Sequence, residues 1–183
     1  MSHYCDTAPG HPQHGPYHEH EYGFPVSGET ELFERLALEI NQAGLSWLTV
    51  LKKRNAFRTA FEGFEVDRVA TFGDAERERL LNDATIIRNR LKIDAVIHNA
   101  KVIQALRESH GGFHGWLEQH HPLPHAQWVK LFRRTFRFTG PEIVREMLMS
   151  TGYLPGAHRD DCPVQQRILA TGPAWTRPGG VCE

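Results

Sequence analysis

The chain has 183 residues, with 21 Lys and Arg against 22 Asp and Glu, so its formal net charge at pH 7 is −1. This length suits one domain, and the near-zero charge does not by itself indicate a nucleic-acid partner. Apolar residues make up 40% and charged residues 23% of the chain, which excludes a disordered chain, a collagen and a coiled coil.

Apolar residues at helical spacing predict the first core helix over residues 30–42, with Thr30 as its N-cap and Gly44 as its stop. Ser46 is the predicted N-cap of a second helix. The later predicted helices, in chain order, cover residues 55–61, 76–81, 92–106, 113–120, 126–132 and 141–150. No segment shows sustained strand alternation, although residues 136–139 fit an extended segment.

The two ends of the chain differ from the middle. Residues 5–16 and 152–183 are rich in Pro, Gly and His, and such segments do not build a helical core by themselves. The sequence therefore predicts an all-α bundle whose loop-rich ends must be held in place by some other interaction.

The cellular setting is predicted from what the sequence lacks. It has no apolar run long enough to cross a bilayer, and its first Lys or Arg is Arg35, so the positive start of a secretory signal is missing. Three cysteines, Cys5, Cys162 and Cys182, are too few for a disulfide framework. We expect a cytoplasmic protein with no membrane partner and with an exposed free thiol at Cys182.

Charge is distributed unevenly along the chain. Residues 46–61, 86–93 and 126–141 contain basic residues and no acidic ones. Each window alone fits a solvated helix surface, but together they favour a basic face for a polyanion. We expect that face to consist of Lys52, Lys53, Arg54, Arg88, Arg90 and Lys92, with some of Arg133, Arg134 and Arg137.

Cysteine and histidine residues near the two ends suggest a metal site. Cys5 is followed by His18, and His158 stands four residues before Cys162. Two thiolates and two imidazoles make a closed tetrahedral Zn²⁺ site of the structural type, and such a site would add to the free energy of folding. The alternative N-terminal ligands are His3, His11, His14 and His20.

Glu39 is the most informative single residue. On a helical wheel it lies beside Leu32 at the edge of the apolar stripe, whereas Glu31 and Glu34 lie well away from it. A carboxylate that faces the interior costs several kcal/mol unless it is paired. Glu39 is therefore an acid that reaches solvent at the rim of the stripe, half of a buried ion pair, or a functional carboxylate in a pocket. The nearby aromatic residues that would wall such a pocket are Tyr17, Tyr22 and Trp47.

Three segments resemble the DNA-3-methyladenine glycosylase I family. Residues 38–47 read L-E-I-N-Q-A-G-L-S-W and are followed by L-K-K-R, which matches the family pattern L-E-x-x-Q-A-G-L-S-W…L-x-K-R. Residues 86–93 match I-I-R-N-R-x-K-I, and residues 17–23 resemble Y-H-D-x-E-W-G. The resemblance covers roughly residues 4–165, so we assign residues 1–165 to a glycosylase domain and residues 166–183 to a C-terminal tail.

The resemblance implies an all-helical helix–hairpin–helix glycosylase fold, with the hairpin at about residues 82–93 and a zinc clamp joining the termini. It implies a monofunctional enzyme that removes N3-methyladenine from alkylated double-stranded DNA and leaves an abasic site. It also implies one structural Zn²⁺, and we expect a monomer. The implied zinc ligands are Cys5, His18, His158 and Cys162.

The resemblance also assigns roles by position. Glu39 would be the catalytic carboxylate that accepts hydrogen bonds from the base. Leu45 would be the wedge that fills the vacated base stack, with a simple packing role as its alternative. The implied base-binding residues are Tyr17, Tyr22, Gln42 and Trp47, and the implied DNA contacts are Leu45, Arg88, Arg90 and Lys92.

The sequence departs from the family pattern around the predicted pocket. The family commonly has Trp two residues after the first cysteine, where this chain has Thr7. In the family's E-W-G motif, Tyr22 replaces the Trp. The loss of the Trp at position 7 is expected to thin the base pocket. Residues 146–158 also replace the family's F-M-Q-A-x-G-x-V-N-D-H. Two alternative functions therefore stay open: a non-catalytic, zinc-clamped module that binds damaged DNA, and a glycosylase for another modified purine.

Overall fold

The structure, a computed structural model, describes residues 3–179. Within that range it consists of α-helices and two single-turn 3₁₀ helices with no β-strand, which confirms the all-α prediction. No helix in residues 3–179 has both the length and the apolar run needed to cross a membrane. The expectation for Cys182 falls outside the described residues.

Eleven α-helices follow one another in the described chain. They are α1 (Tyr4–Thr7), α2 (His14–His20), α3 (Glu29–Gln42), α4 (Trp47–Ala60), α5 (Val66–Ala70), α6 (Asp74–Asn82), α7 (Arg90–His110), α8 (Phe113–His120), α9 (His125–Thr135), α10 (Pro141–Ser150) and α11 (Pro163–Ala170). The 3₁₀ helices are Glu62–Phe64 and Ala174–Thr176.

Helix α3 lies at the centre of the core. It packs against α4, α7, α8 and α10, and every residue from 32 to 41 is buried. A helix that is surrounded in this way buries its polar positions together with its apolar stripe. Three charged side chains of α3, Glu34, Arg35 and Glu39, are therefore brought into the interior.

The turn between α3 and α4 forms as the sequence predicts. Gly44 has a φ of +80°, a left-handed conformation that glycine adopts without steric strain. Ser46 then caps α4, because its hydroxyl oxygen accepts a hydrogen bond of 3.2 Å from the N–H of Thr49. The turn leaves Leu45 on the surface, 42% exposed.

Several helix boundaries differ from the prediction; α7, for example, extends to His110. Two further differences concern α3 and α4. Helix α3 begins at Glu29 with Gly28 as its N-cap, so Thr30 lies inside the helix. The predicted helix over residues 55–61 is the second half of α4, since nothing in the sequence interrupts that helix and its apolar residues continue to face the core. Residues 136–139 form a loop in which Phe138 has a φ of +60°, and not an extended segment.

The ends of the chain contain more helix than predicted. Helices α1 and α2 precede the core, and α11 follows it. Ile168 of α11 is 1% exposed and belongs to a small apolar cluster with Val164 and Phe24. The boundary predicted between residues 165 and 166 therefore falls in the middle of α11.

Helices α6 and α7 are joined by residues 83–89, which lie within the segment predicted as the hairpin. Ile86 anchors this loop in the core and is 3% exposed. Asn89 caps α7, because its Oδ1 accepts a hydrogen bond of 3.1 Å from the N–H of Lys92. The loop is thus fixed at its middle and at its end.

Candidate functional site

A cavity of about 200 Å³ lies where α1, α2, α3, α4 and α10 meet. It contains all five residues that were predicted for catalysis and base binding, and two that were not, Tyr4 and Glu146. Its lining consists of Tyr4, Tyr17, Tyr22, Glu39, Gln42, Trp47 and Glu146. We call this cavity the aromatic pocket.

Glu39 is the buried acid of the aromatic pocket. It is 3% exposed, as the helical wheel predicts, and no hydrogen bond or ion pair within residues 3–179 involves its carboxyl group. Burial raises the pKa of Glu39 to about 8; the charge of Glu146 raises it as well, and Arg35 lowers it. The ionised carboxylate therefore lacks a partner, which a cation or a hydrogen-bond donor in the pocket would supply.

Aromatic rings form the walls of the pocket. The ring centroids of Tyr17 and Trp47 are 5.1 Å apart, and those of Tyr17 and Tyr22 are 5.6 Å apart. The indole N–H of Trp47 is buried and has no acceptor in the described part of the chain. Rings in this arrangement offer faces on which a planar base can stack.

Tyr4 was missed by the sequence analysis, and it lines the pocket near the position where a thinner wall was expected from Thr7. Thr7 is exposed and does not line the cavity, whereas Tyr4 does. The Tyr4 ring packs edge-on against Tyr22 with centroids 5.5 Å apart, and its hydroxyl is 3.0 Å from Nδ1 of His14. An aromatic side chain on the opposite side of Cys5 thus closes this wall.

Arg35 holds Tyr17 in place. Its Nη1 donates hydrogen bonds to the Tyr17 hydroxyl oxygen at 3.3 Å and to the carbonyl oxygen of Ser150 at 3.0 Å. Its Cζ lies 5.1 Å from the centroid of the Tyr17 ring, and its Nη2 is 3.4 Å from Oε2 of Glu21. The Tyr17 hydroxyl therefore accepts from the protein and keeps its own proton for a ligand.

A second cavity of about 300 Å³ adjoins Arg35 and contains a set of ion pairs. Arg54 donates two bonds of 2.7 Å to Glu21 and one of 2.6 Å to Glu34; Arg58 donates to the same Glu34 oxygen at 2.9 Å. Burial opposes ionisation of Glu21, but the Arg54 hydrogen bonds outweigh it and keep the pKa of Glu21 below its ordinary value. We call this set the ion-pair network.

The four predicted metal ligands converge in space. The ligand atoms of Cys5, His18, His158 and Cys162 all lie within 4.8 Å of one another. The Cys162 sulfur is 3.5 Å from Nδ1 of His158 and 3.8 Å from Nε2 of His18, and the Cys5 sulfur is 3.6 Å from Nδ1 of His158. Zinc bonds of about 2.3 Å to sulfur and about 2.0–2.1 Å to nitrogen give sulfur–nitrogen edges of about 3.6 Å in a tetrahedron. The donor set and its spacing therefore fit Zn²⁺.

Hydrogen bonding orients His158 toward this cluster. Its Nε2 lies 2.8 Å from the carbonyl oxygen of Tyr22, so Nε2–H donates there and Nδ1 is left as a metal-binding lone pair. Burial lowers the pKa of His158 to about 4, which keeps the ring neutral. The alternative N-terminal histidines do not belong to the cluster. Since Tyr22 lines the aromatic pocket, the cluster also positions one of its walls.

Two lysines tie the α3–α4 turn to the α6–α7 loop. Lys92 Nζ donates to the carbonyl oxygens of Asn41 at 2.9 Å and Ala43 at 2.6 Å, and Lys53 Nζ donates to that of Thr85 at 2.9 Å. Lys92 is 5% exposed, so the prediction that it contacts DNA is corrected: it binds the last carbonyl groups of α3. The turn and the loop therefore form one unit.

The surface of this unit carries the other predicted DNA contacts. Leu45, Arg88 and Arg90 are all exposed. Leu91, on the first turn of α7, is 69% exposed and was not singled out from the sequence. Asn89 occupies the N–H groups of Lys92 and Ile93, which leaves those of Arg90 and Leu91 at the start of α7, and such groups bind phosphate.

The second and third basic windows meet along α7. Arg90 and Arg137 line one surface groove together with His98 and Lys101. Two acids, Asp74 and Asp94, line it as well and are paired with Arg77.

The prediction of a basic face is wrong for Arg54 and Lys92, which are bonded inside the protein. Lys53 is bonded to Thr85, and for the exposed residues the basic face stays a prediction. The exposed members are Lys52, Arg88, Arg90, Arg133, Arg134 and Arg137.

Comparison with known proteins agrees with this geometry. A family model described as methyladenine glycosylase matches residues 7–130. The chain belongs to the methyladenine glycosylase family. The match contains α2, α3 and the start of α4, which supply most of the aromatic pocket, together with the α6–α7 loop.

Two curated relatives have family names that agree with the model. The chain is 32% identical to DNA-3-methyladenine glycosylase of Haemophilus influenzae over 166 residues, which cover 80% of this chain and 89% of that protein. It is 42% identical to DNA-3-methyladenine glycosylase 1 of Escherichia coli over 105 residues. That second alignment spans 57% of this chain and 56% of the Escherichia coli protein.

Solved structures share the fold. A structure of 3-methyladenine DNA glycosylase I from Staphylococcus aureus superimposes with a TM-score of 0.79 and 30% identity, over 88% of this chain and 95% of that one. A variant of 3-methyladenine DNA glycosylase I in complex with 3-methyladenine gives a TM-score of 0.78 at 30% identity, over 88% and 96%. The helical architecture of this chain is therefore that of the family.

Proposed function

We propose that this protein is a base-excision repair glycosylase that hydrolyses the N-glycosidic bond of N3-methyladenine in alkylated double-stranded DNA. It releases the free base, leaves an abasic site and does not cleave the strand. The observation that carries the proposal is Glu39, a buried carboxyl group without a partner, inside a pocket with aromatic walls. Membership of a family whose relatives are named for this activity supports it.

The chemistry of the lesion explains why such a pocket suffices. Methylation at N3 makes adenine a cation and a good leaving group, so little acid catalysis is required. The enzyme must extrude the nucleotide from the duplex, at a cost of a few kcal/mol. A cationic base then gains roughly 1–2 kcal/mol from desolvated contact with an aromatic face such as that of Trp47 or Tyr17.

Glu39 supplies selectivity and electrostatic stabilisation. A cationic base beside it offsets the burial that raises the pKa of its carboxyl group, so the ionised form becomes favourable when the lesion binds. Normal adenine is neutral and gives no such gain. The carboxylate also stabilises the positive charge that develops on the sugar as the bond breaks.

The unit formed by the α3–α4 turn and the α6–α7 loop would bind the DNA. Leu45 would fill the space left by the extruded base, and Lys92 would serve indirectly by fixing the turn that presents Leu45. Arg88, Arg90 and the free N–H groups at the start of α7 would contact phosphates in the manner of a helix–hairpin–helix element. The groove with Arg137 extends the basic surface along α7.

We also propose that Cys5, His18, His158 and Cys162 hold one structural Zn²⁺. The donor distances that fit a tetrahedral site support this. Bound there, the metal would join α1 and α2 to the segment before α11 and contribute to folding. We assign the metal no part in bond cleavage, which is carried out by the residues of the aromatic pocket.

The test is the release of free base from methylated DNA. Purified protein should release N3-methyladenine from duplex DNA treated with a methylating agent, and no base from untreated DNA. Binding to the damaged DNA without release of any base would instead identify a non-catalytic binding module. Release of a different methylated purine only would identify the other alternative.

A further inference from the structure

Glu146 is a second acid in the aromatic pocket, and nothing in the proposed function uses it. It lies on α10, is half-buried and lines the same cavity as Glu39. Its Oε2 accepts a hydrogen bond of 3.1 Å from the Tyr22 hydroxyl. Both partners stand at departures from the family pattern, since Tyr22 replaces the Trp of E-W-G and Glu146 opens the altered stretch over residues 146–158.

The two departures form one structural feature. A buried tyrosine hydroxyl requires a hydrogen-bond partner, and Glu146 provides it. In return, the hydroxyl supports the ionised form of Glu146 against burial, which raises the pKa of that carboxyl group. The pocket therefore has one carboxyl group held by a donor, Glu146, and one without any donor, Glu39.

The charge of Arg35 lowers the pKa of Glu39 and that of Arg145 lowers the pKa of Glu146, but neither arginine bonds to the acid it affects. Neither takes part in an ion pair among the described residues. The hydrogen bonds of Arg35 go instead to Tyr17, Ser150 and Glu21. Two carboxyl groups in one cavity disfavour joint ionisation, and a bound cation removes that conflict.

We propose that Glu146, held by the Tyr22 hydroxyl, is a second base-recognition carboxyl group that makes the aromatic pocket select positively charged N-alkylpurines over uncharged bases of the same shape. This inference rests on the proposed function, because it assigns Glu146 to the site where the extruded base binds. The class of ligand follows from charge: a cationic purine supplies the positive partner that the two acids lack.

The test compares two DNA duplexes. One contains N3-methyladenine, which is cationic, and its binding is measured by rapid mixing, before the base is released. The other contains the 3-deaza analogue, in which a methylated carbon replaces the methylated nitrogen and the base is uncharged and not released. Glu146→Gln keeps the shape of the side chain and removes its charge. It should weaken binding of the cationic duplex about tenfold, the loss of one charge-assisted hydrogen bond. Binding of the uncharged duplex should stay within about twofold.

Glu142→Gln is the matched control, since it removes the same charge one turn earlier on α10 from an exposed position outside the pocket. It should leave both affinities within about twofold of the wild type. Tyr22→Phe keeps Glu146 but removes the donor that supports its charge, so it should weaken binding of the cationic duplex and spare the uncharged one.

Two results would overturn the proposal. Equal weakening of both duplexes by Glu146→Gln would mean that Glu146 only anchors the Tyr22 ring, and no weakening of either would mean that it does not meet the base. Failure of the proposed function would look different: the wild type would release no base, while the two affinities would still be measurable and would still report on Glu146.

Discussion

Two neighbouring cavities along α3 each contain a buried acid, and only one of the two acids is bonded to arginine. In the ion-pair network, Glu34 accepts hydrogen bonds from two arginines, Arg54 and Arg58. Five residues further along the same helix, Glu39 faces the aromatic pocket without any such partner. The two side chains are similarly buried, at 7% and 3% exposure, so burial alone does not distinguish them. Their partners do.

The difference separates a structural acid from a functional one. Removing one partner of a buried ion pair is strongly destabilising, because it leaves an uncompensated charge. An acid that is buried without a partner already destabilises the fold, and such groups are found where a ligand completes the arrangement. On the proposed function, Glu34 therefore stabilises the fold, whereas Glu39 is retained because it binds the base.

The largest effect is expected from breaking the proposed zinc site, whose ligand His158 is hydrogen-bonded to the backbone of Tyr22 in the aromatic pocket. Cys162→Ser should cost more than about 4 kcal/mol, which lowers the melting temperature by more than about 8 °C. Cys182→Ser, outside the four ligands, is the control. Elemental analysis should find one zinc per chain in the wild type; well under one, with no fall in melting temperature in a chelator, would contradict the proposed site.

A pH series sharpens the comparison at Glu39. Its pKa is about 8 in the folded protein against an ordinary value of 4.5, so the folded state holds a proton that the unfolded state loses between these values. Stability from this group is therefore lost as pH rises from 4.5 to 8. Glu39→Gln should have little stability advantage over the wild type near pH 4.5 and an advantage of up to about 5 kcal/mol above pH 8.

The measurement is urea unfolding of both proteins at several pH values in that window. The groups that face Glu39 are Arg35 on its own helix, Glu146 on α10, and Tyr17 and Tyr22; they are common to both proteins, so the difference isolates Glu39. A difference that did not change with pH would show that Glu39 is ionised in the folded protein throughout.

Glu34→Gln should lower stability and spare the excision rate, the opposite of what is expected for Glu39→Gln. It weakens the acceptor of Arg54 and Arg58 and should destabilise the protein by about 3 kcal/mol, while the excision rate at a temperature where the protein is folded stays near that of the wild type. Glu31→Gln removes an acid that is exposed at the same cavity and should change stability by under about 0.5 kcal/mol. A wild-type melting temperature for Glu34→Gln would contradict the claim that Glu34 stabilises the fold.

A smaller effect is expected at the wall of the aromatic pocket. Trp47→Ala should weaken base binding by about 1–3 kcal/mol through loss of a stacking face, with most of the change in the enzyme concentration that half-saturates single-turnover excision. An unchanged half-saturating concentration would mean that the base stacks on the tyrosine rings instead.

Local patterns in the sequence were enough to find several parts of the site. The helical wheel alone places Glu39 inside, and Ser46 caps α4 as predicted. The predicted helices over residues 113–120 and 141–150 coincide with α8 and α10. These features depend on neighbours within one or two turns, which is the range over which sequence patterns report directly.

The features that the sequence did not predict depend on partners far apart in the chain. A wheel assigns Glu34 to solvent because it assumes one buried face, whereas α3 is surrounded and Arg54, twenty residues on, pairs with Glu34. Lys92 was expected on the surface, but it donates to a carbonyl group at Asn41. Glu146 joins the pocket from more than a hundred residues after Tyr22. Only the packing of the helices brings these pairs together.

The central claim is that the unpaired carboxyl group of Glu39 serves base excision and not the fold. The most direct test is the single-turnover excision rate of Glu39→Gln on N3-methyladenine DNA, measured with saturating enzyme. The account predicts a loss of transition-state stabilisation of about 2–4 kcal/mol, with an unchanged or higher melting temperature. A wild-type rate in this variant would contradict the account and leave Glu39 as a structural residue.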